Sequence, residues 1–232
     1  MTAAPASPLA ARNFLFDFDG TLADSAPLHA DAFRAALAVE APAALAGFDY
    51  EPLKGLNTRE AFERLGVAGA ERLSRCVARK RAAYRDAVRA GGLRAFRGAH
   101  ELLATLRRAG ARSYLVTSGS SASIALALER LDLACAFAGI VASDDAARGK
   151  PAPDPYLECM RRHALDAAGS VAVEDAPSGV ESARAAGLRV IGVHNPIVAP
   201  LADRYFPTLD TLAAAIADER ARPALAPGPR YA

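Results

Sequence analysis

Carboxylate, hydroxyl and lysine side chains follow the ends of several short apolar segments of the sequence. They are Asp17, Asp19, Thr117, Ser118, Lys150, Glu174 and Asp175. Carboxylates that meet at one place repel each other unless a cation lies among them, and hard oxygen ligands of this kind suit Mg²⁺. The lysine adds positive charge, and the hydroxyls and backbone N–H groups add neutral donors. Such a set could hold a phosphoryl group, whose transfer depends mainly on positioning and charge neutralisation, with an aspartate as nucleophile.

Each of these residues has an ordinary structural explanation when it is considered alone. An aspartate after a strand is most often a helix cap or a turn residue. Thr117 and Ser118 suit a turn equally well, and Lys150 suits a solvated loop. Their joint placement at the ends of successive segments is what favours the interpretation as one site.

Short apolar runs alternate along the chain with amphipathic helical patterns. We expect strands at 13–18, 112–116, 139–142, 170–173 and 189–193. We expect helices at 100–109, 121–131, 154–165, 178–186 and 209–218. Ser178 and Glu181 have the spacing of a capping box at the start of one of these helices. The alternation predicts a parallel sheet with helices on both faces, in which ligands bind beyond the carboxyl ends of the strands.

Residues 26–96 interrupt this alternation, because they contain only helical patterns, at 28–39, 58–65 and 70–90. They predict a small helical domain inserted after the first strand. Residues 49–97 hold 12 basic and 6 acidic residues, a balance of +6, which leaves 16 basic and 20 acidic residues elsewhere, a balance of −4. A basic helix face is usually simply solvated, so a positively charged lid is a hypothesis that the charge difference alone supports weakly.

The composition excludes several classes of protein. The 28 basic and 26 acidic residues give a net charge of +2, which is too balanced for a dedicated nucleic-acid-binding protein. No apolar run approaches the roughly 20 residues that span a bilayer, and the start of the chain lacks the pattern of a secretory signal. Cys76, Cys135 and Cys159 are widely spaced and are expected to be reduced thiols. We therefore expect a cytoplasmic protein with loose termini at 1–12 and 221–232.

Four motifs, in order, resemble those of the haloacid dehalogenase superfamily of phosphohydrolases. The segment 17–22, DFDGTL, resembles the DxDGT(L/V) signature of that superfamily, and the other matching segments are LVTS at 115–118, GKPAPD at 149–154, VED at 173–175, SGV at 178–180 and AAG at 185–187. The resemblance implies a Rossmann-like α/β core at 13–25 and 97–220. It also implies an inserted α-helical cap at 26–96, entered and left near Ser25 and Arg97.

The resemblance also implies a role for each residue that matches a motif. Asp17 corresponds to the nucleophile that attacks phosphorus. Asp19 corresponds to the general acid that protonates the leaving alcohol and then to the base that activates water. Thr117 and the Ser118 backbone correspond to the phosphate-binding groups, and Lys150 to the cation that bridges phosphate and nucleophile.

The metal ligands implied by the resemblance are Asp17, the Asp19 carbonyl and Asp175, with Glu174 acting through water or Lys150. The expected cofactor is therefore Mg²⁺. Asp19 also distinguishes two chemistries, since the dehalogenases of the superfamily lack an acidic residue there. The resemblance thus favours phosphoryl transfer over dehalogenation.

The helical insertion resembles the small cap of the sugar-phosphatase and β-phosphoglucomutase-like branch. The segment DSAPLH at 24–29, followed by AF at 32–33, matches a pattern of that branch. LKG at 53–55 resembles a loop of that cap, and the pair Arg79-Lys80 resembles a basic pair on the facing helix. The residues that this implies on the cap side of the site are His29, Lys54, Arg59 and Lys80.

From these observations we expect a Mg²⁺-dependent phosphatase of a small phosphorylated metabolite, such as a sugar phosphate or a phosphoglycolate-like compound, acting through an aspartyl-phosphate. A phosphomutase of the same branch is the first alternative. A non-enzymatic, phospho-accepting receiver module is a remote one, because receivers are about half this length and lack a helical insertion. No nucleic-acid or membrane partner is expected, and we expect a monomer or a weak dimer.

Overall fold

A computed structural model describes residues 7–221 of the chain. Its main sheet has six strands in the order β5-β4-β1-β6-β7-β8, every one of them parallel to its neighbours. The strands of the described part are β1 (Asn13–Phe16), β2 (Ala23–Asp24), β3 (Arg94–Ala95), β4 (Arg112–Val116), β5 (Gly139–Val141), β6 (Ser170–Glu174), β7 (Arg189–Val193) and β8 (Arg204–Phe206). The predicted α/β class with a parallel sheet is confirmed.

Eight α-helices lie within the described residues. They are α1 (Ala26–Glu40), α2 (Thr58–Arg64), α3 (Ala70–Arg89), α4 (Ala99–Arg108), α5 (Ser121–Arg130), α6 (Asp154–His163), α7 (Pro177–Ala185) and α8 (Leu209–Ala221). Each predicted helix is present, with ends that differ by a few residues.

Both faces of β1 are buried, as expected for a central strand of a parallel sheet. Phe14 and Phe16 point into one apolar cluster, which includes residues of α4, α5 and α8. Leu15 belongs to the opposite cluster, with residues of α6 and α7. Its register neighbours are Tyr114 on β4 and Ala172 on β6, so β1 lies between these two strands. Helices therefore cover both faces of the sheet, as predicted.

The helical segment between β2 and β3 has an apolar cluster of its own. Phe33 and Leu37 of α1 pack with Phe62 of α2 and with Leu73 and Cys76 of α3. The inner face of α3 also reaches the main core, because its Tyr84 and Val88 belong to the cluster that contains Phe14. The three cysteines carry free thiols, as the sequence predicts.

Three short strands were not predicted. β2 and β3 pair antiparallel, with Ala23 opposite Ala95, and join the two crossings between the sheet and the helical segment. The sequence interpretation found no strand between 26 and 96, because a two-residue strand has no measurable periodicity. β8 is the sixth strand of the sheet and has three residues, which is also too short for a pattern.

The capping box predicted at Ser178 is wrong. The helix α7 begins one residue earlier, at Pro177, and its N-cap residue is Ala176, which makes no side-chain cap hydrogen bond. The Ser178 hydroxyl instead donates to the Lys54 carbonyl at 3.3 Å, far along the chain. A tertiary contact thus takes the place of the local one.

The amino-terminal expectation also needs correction within the described residues. Residues 1–12 were expected to be loose, yet Leu9 and Ala11 are buried and Arg12 forms an ion pair with Asp166. Residues 1–6 and 222–232, where the rest of the expected loose termini falls, lie outside the described residues. Between residues 7 and 221, no helix has both the length and the apolar composition needed to cross a bilayer.

Candidate active site

The ends of β1, β4 and β6 meet at one edge of the sheet because β1 lies between the other two strands. The Asp17 backbone N–H donates to the Val173 carbonyl at 3.0 Å, which places Asp17 beside the end of β6. The Thr117 N–H donates to the Val141 carbonyl at 2.9 Å at the end of β4. The strand order therefore brings together the carboxylates and hydroxyls that the sequence analysis selected.

Lys150 is the centre of this group, and its side chain is only 1% exposed. Its Nζ donates to Asp17 Oδ1 at 2.6 Å, to Glu174 Oε1 at 2.7 Å and to the Val116 carbonyl at 2.9 Å. An ammonium has three N–H donors, so all of them are used. Burial opposes the charged form, but Asp17 and Glu174 outweigh it and raise the pKa of Lys150 above its usual value. Lys150 is therefore a permanent positive charge in the site.

Glu174 has a second partner that the sequence analysis missed. The Tyr156 hydroxyl, from α6, donates to Glu174 Oε1 at 2.5 Å, and the Tyr156 ring lies 5.2 Å from the Lys150 ammonium. Both Glu174 and Tyr156 are buried. Gly179 leaves room for the carboxylate, since a Cβ there would lie 2.1 Å from Glu174 Cδ. Glu174 is thus fixed between a phenol and an ammonium.

A buried acidic cluster lies beside Lys150. Oxygen atoms of Asp17, Glu174 and Asp175 come within 4.8 Å of one another. Burial raises the pKa of Asp17 well above its usual value, and the other two carboxylates add to the rise while Lys150 opposes it. Burial and the Glu174 charge raise the pKa of Asp175 to about 7. Three neighbouring carboxylates carry more negative charge than the single ammonium of Lys150 can balance.

The cluster fits a hard divalent cation. Carboxylate and carbonyl oxygens are the ligands that Mg²⁺ takes in proteins, together with water and phosphate oxygens. One oxygen of Asp175 accepts a hydrogen bond from the Thr21 hydroxyl at 3.1 Å, which orients the carboxylate. Gly20, at φ +90°, leaves the space for it, because a Cβ there would lie 2.2 Å from Asp175 Oδ2. The carboxylates that lie close enough together to hold one ion are those of Asp17, Glu174 and Asp175.

Asp19 belongs to a different set of contacts from Asp17. Its Oδ1 accepts from the Ser25 hydroxyl at 2.6 Å and lies 2.9 Å from His29 Nε2. Burial would raise its pKa, but His29, Ser25 and Lys80 outweigh that effect and lower it. Its side chain is 23% exposed, so it faces open space as well as these partners. Asp19 is therefore a carboxylate at neutral pH, held on one oxygen.

His29 and Lys80 come from two helices of the inserted segment and meet beside Asp19. The Lys80 Nζ lies 2.7 Å from His29 Nδ1. Because an ammonium donates and cannot accept, His29 accepts on Nδ1 and donates from Nε2 to Asp19. The His29 ring stacks on Tyr84 with centroids 4.3 Å apart. Burial lowers the pKa of Lys80 to about 8.

The structure places the other two cap-side candidates differently. Lys54 pairs with Glu51, Nζ to Oε1 at 2.7 Å, and lines a cavity of about 320 Å³ that also reaches Asp19 and Asp175. Arg59 is exposed on α2 and lines neither that cavity nor the enclosed one bounded by Asp17, Asp19, His29 and Lys80. Arg59, which was expected on the cap side of the site, therefore lies outside the lining of both cavities.

Two of the basic residues in the segment 49–97 lie on the exposed face of α3. Arg75 and Arg79 are exposed on α3 and pair with Glu40, with Nε–O distances of 2.8 and 2.6 Å. The observed placement of these two arginines agrees with the interpretation of a solvated helix face.

The two hydroxyls at the end of β4 have separate partners. Thr117 Oγ1 accepts from the Gly119 N–H at 3.0 Å, which leaves its own hydrogen for another acceptor. The Ser118 hydroxyl donates to the Gly55 carbonyl of the inserted segment at 2.7 Å. The Ser118 side chain thus contacts the helical segment. The group of Ser118 that remains for the expected phosphate contact is its backbone N–H.

Residues after β7 were also missed, although the rule used for the other strands would have found them. His194 and Asn195 follow the end of β7 and line the cavity that contains Asp19 and Asp175. His194 stacks on Phe96 at 4.1 Å, and its Nε2 lies 3.2 Å from the Thr21 carbonyl. Ser25 carried a signal as well, since it lies in the matched segment at 24–29. Tyr156 carried none, because a buried aromatic residue on a helix is typical of a core.

Comparison with known proteins agrees with this geometry. A family model described as haloacid dehalogenase-like hydrolase matches residues 14–193. Hexitol phosphatase A of Escherichia coli (strain K12) is 35% identical over 196 residues, which cover 82% of this chain and 86% of the relative. The crystal structure of CbbY from Rhodobacter sphaeroides in complex with phosphate has a TM-score of 0.76 at 26% identity, and the match covers 90% of this chain and 99% of that one.

A fourth comparison shows likeness of fold alone. β-Phosphoglucomutase from Clostridium difficile has a TM-score of 0.78 at 22% identity, over 90% of this chain and 96% of its own. The family match at 14–193 spans well over half of the chain and contains the four motifs and the acidic cluster that they form. The chain therefore belongs to the haloacid dehalogenase-like hydrolases, as its motifs predict.

Proposed function

We propose that the protein is a Mg²⁺-dependent phosphatase that hydrolyses a small phosphorylated metabolite, a sugar phosphate or a phosphoglycolate-like compound, through an aspartyl-phosphate on Asp17. The observation that carries the proposal is the buried group in which Lys150 contacts both Asp17 and Glu174 beside Asp175. The hexitol phosphatase relative supports a phosphorylated polyol or sugar as the class of substrate.

Asp17 is the nucleophile in this proposal. A carboxylate oxygen of Asp17 forms a bond to phosphorus while the bond from phosphorus to the ester oxygen breaks. The Lys150 ammonium contacts Asp17 Oδ1. Its positive charge also attracts the phosphate. Thr117 and the Ser118 N–H hold the phosphate oxygens. A bound Mg²⁺ would supply charge neutralisation between the carboxylates and the phosphate.

Asp19 moves the protons of both steps. In the free protein Asp19 is a carboxylate, so it takes up a proton as the anionic phosphate binds beside it, and in the first step it gives that proton to the departing alcohol oxygen. In the second step, the Asp19 carboxylate takes a proton from water, the water oxygen bonds to phosphorus, and the bond to Asp17 breaks. The contact with His29 Nε2 at 2.9 Å and with the Ser25 hydroxyl at 2.6 Å orients Asp19 for both steps.

The helical segment 26–96 acts as a cap in this proposal, and residues 13–25 with 97–220 form the catalytic core. The two chain segments that connect the cap to the core are joined by the antiparallel pairing of β2 with β3. His29 reaches Asp19 from the cap, and Lys80 contacts His29, so the proton-transfer site is complete only when the cap lies against the core. Closure that excludes bulk water and opening for exchange are the usual motions of such a lid.

A phosphomutase is the second candidate. The specific observation in its favour is that Asp17 and Asp19 border a small cavity lined on one side by cap residues, among them His29 and Lys80, a space in which a sugar hydroxyl could lie beside the phosphorylated aspartate. A sugar hydroxyl would then replace water as the acceptor. A receiver-like role is not retained, since the chain belongs to a hydrolase family. Cytoplasmic location and a monomeric or weakly dimeric state stay predictions from the sequence.

Phosphate release from a panel of hexitol phosphates, hexose phosphates and phosphoglycolate tests the proposal. We expect release with Mg²⁺, none with a chelator, and none from Asp17→Asn. Incubation with a hexose 1-phosphate and the corresponding bisphosphate separates the two candidates. Formation of isomerised sugar phosphate without free phosphate would favour the phosphomutase over the phosphatase. Mg²⁺-dependent turnover by Asp17→Asn would contradict both functions.

A further inference from the structure

One stretch of the inserted segment, residues 54–60, touches the core at three places, two loops and the first turn of α7. We call it the cap loop. The Ser118 hydroxyl donates to the Gly55 carbonyl at 2.7 Å, and the Ser178 hydroxyl donates to the preceding Lys54 carbonyl at 3.3 Å. Two adjacent backbone carbonyls of the cap loop are thus held by two serines from separate parts of the core.

The third contact lies at Gly149, next to Lys150. A Cβ at Gly149 would lie 2.6 Å from Asn57 Nδ2 and 3.2 Å from Glu60 Oε2. The start of α2 therefore packs directly on the backbone that presents the catalytic lysine. Asn57 itself caps α2 by accepting from the N–H groups of Arg59 and Glu60, so the contacting end of the helix is rigid.

The close approach depends on a glycine of the cap loop. Gly55 has φ +81°, in the left-handed region, and a Cβ there would lie 2.2 Å from the Ser178 Oγ. A side chain at this position would push the cap loop away from both serines. The three parts of the core that meet the cap loop are the loop that follows β4, the loop that carries Lys150 and the first turn of α7, the helix that follows β6.

We propose that Ser118 and Ser178 are positioning residues that hold the cap loop in its closed position through their side-chain hydroxyls. The proposal rests on the proposed function, since it concerns access to that site. Ser118 has two roles in it: its N–H faces the phosphate, and its hydroxyl fastens the cap. Phosphate binding and cap closure are thereby linked through one residue, without a contact between the cap loop and the phosphate.

The cap loop also borders the space that the leaving group must use. Lys54 and Gly55 line the cavity of about 320 Å³ beside Asp19 and Asp175, and Gly55 also lines the enclosed cavity beside Asp17. A loosened cap loop would therefore weaken substrate binding more than it slows phosphoryl transfer. This separates the two serines from residues that touch the reacting atoms.

Hydrogen–deuterium exchange of the full-length protein tests the proposal without any substrate. The proteins are wild type, Ser118→Ala, Ser178→Ala and the control Ser121→Ala, an exposed serine three residues from Ser118. With Mg²⁺ and inorganic phosphate present, we expect amides of peptides covering 50–60 to exchange about three- to tenfold faster in the first two variants, as the loss of one hydrogen bond implies. Peptides from β1 and β6 should be unchanged. Exchange at 50–60 equal to that of wild type in both variants would overturn the proposal.

Steady-state kinetics add a second readout. Ser118→Ala and Ser178→Ala should each raise KM about three- to tenfold, a larger change than any fall in kcat, and Ser118→Thr, which keeps a hydroxyl, should restore KM. A loss confined to kcat would overturn the positioning role. Faster exchange at 50–60 in proteins that release no phosphate would refute the proposed function and leave the positioning role standing. Normal turnover together with unchanged exchange at 50–60 would refute the positioning role and leave the proposed function standing.

Discussion

The Lys150 ammonium lies 2.6 Å from Asp17 Oδ1 inside the protein, and the same nitrogen lies 2.7 Å from Glu174 Oε1. This single cation holds the proposed nucleophile and neutralises part of the acidic cluster. Its removal would leave buried carboxylates without compensation, which is costly. Loss of Lys150 should therefore reduce both the stability of the fold and the rate of phosphoryl transfer.

Lys150→Met should lower the free energy of unfolding by about 3–5 kcal/mol, as expected when one partner of a buried ion pair is removed. Phosphate release should fall by a factor on the order of 10²–10³ at least, the usual effect of losing a charge that stabilises the transition state. Urea denaturation and phosphate release measure the two effects. Lys150→Arg keeps the charge, so it should retain more stability than Lys150→Met. Equal stability of wild type and Lys150→Met would contradict the ion-pair account.

Asp19→Asn should slow turnover of alkyl phosphates by a factor on the order of 10²–10⁴, because it cannot give or take the proton. The leaving-group step should be much less affected with p-nitrophenyl phosphate, whose leaving group departs without protonation. Rapid-quench measurement of the first turnover with both substrates checks this difference. An equal loss of the first-turnover rate with the two substrates would refute the role as general acid.

Tyr156→Phe tests the partner of Glu174. Without the hydroxyl donor, stability should fall by about 1–3 kcal/mol, and the apparent Mg²⁺ affinity should weaken about tenfold or more, as is common when a group that orients the ligands is lost. A matched control is Tyr205→Phe, which removes a hydroxyl that donates to the His194 carbonyl at 2.9 Å. It should also lose stability but keep its Mg²⁺ affinity. Identical Mg²⁺ affinity in wild type and Tyr156→Phe would contradict the account.

Lys80 gives a pH prediction. Burial lowers its pKa to about 8, so it is an ammonium below that pH and loses its charge as the pH rises through it. The amine no longer attracts an anionic substrate in the alkaline range, and kcat/KM should fall above about pH 8. Because arginine stays charged, Lys80→Arg should shift this alkaline limb upward wherever the variant is active. If the alkaline limb of kcat/KM is unshifted in an active Lys80→Arg variant, the limb reflects the titration of a group other than Lys80.

Much of the site follows from one property of parallel sheets. Strand ends share an edge, so Asp17, Thr117 and Asp175 could be grouped from strand assignments alone. The strand order could not be derived in this way, although the position of β1 between β4 and β6 is what makes the grouping tight.

The residues that sequence analysis missed or misplaced depend on tertiary contacts. Tyr156 has the pattern of a core residue, and only its distance to Glu174 reveals its second role. Ser178 has the spacing of a helix cap, yet its hydroxyl is used by the Lys54 carbonyl. Arg59 lies on the exposed side of a short helix whose register the motif did not determine. Strands of two or three residues, such as β2 and β8, have too few residues for a period.

Acid-quenched mass spectrometry of the peptide that contains Asp17 shows whether Asp17 carries the phosphoryl group during turnover. The protein is incubated with Mg²⁺ and a substrate that releases phosphate, then quenched during turnover. We expect one added phosphoryl group on Asp17 in wild type, a larger phosphorylated fraction in Asp19→Asn with p-nitrophenyl phosphate, and none in Asp17→Asn, which should also release no phosphate. Sustained phosphate release by Asp17→Asn, or a phosphoryl group on a different residue, would contradict the proposed role of Asp17.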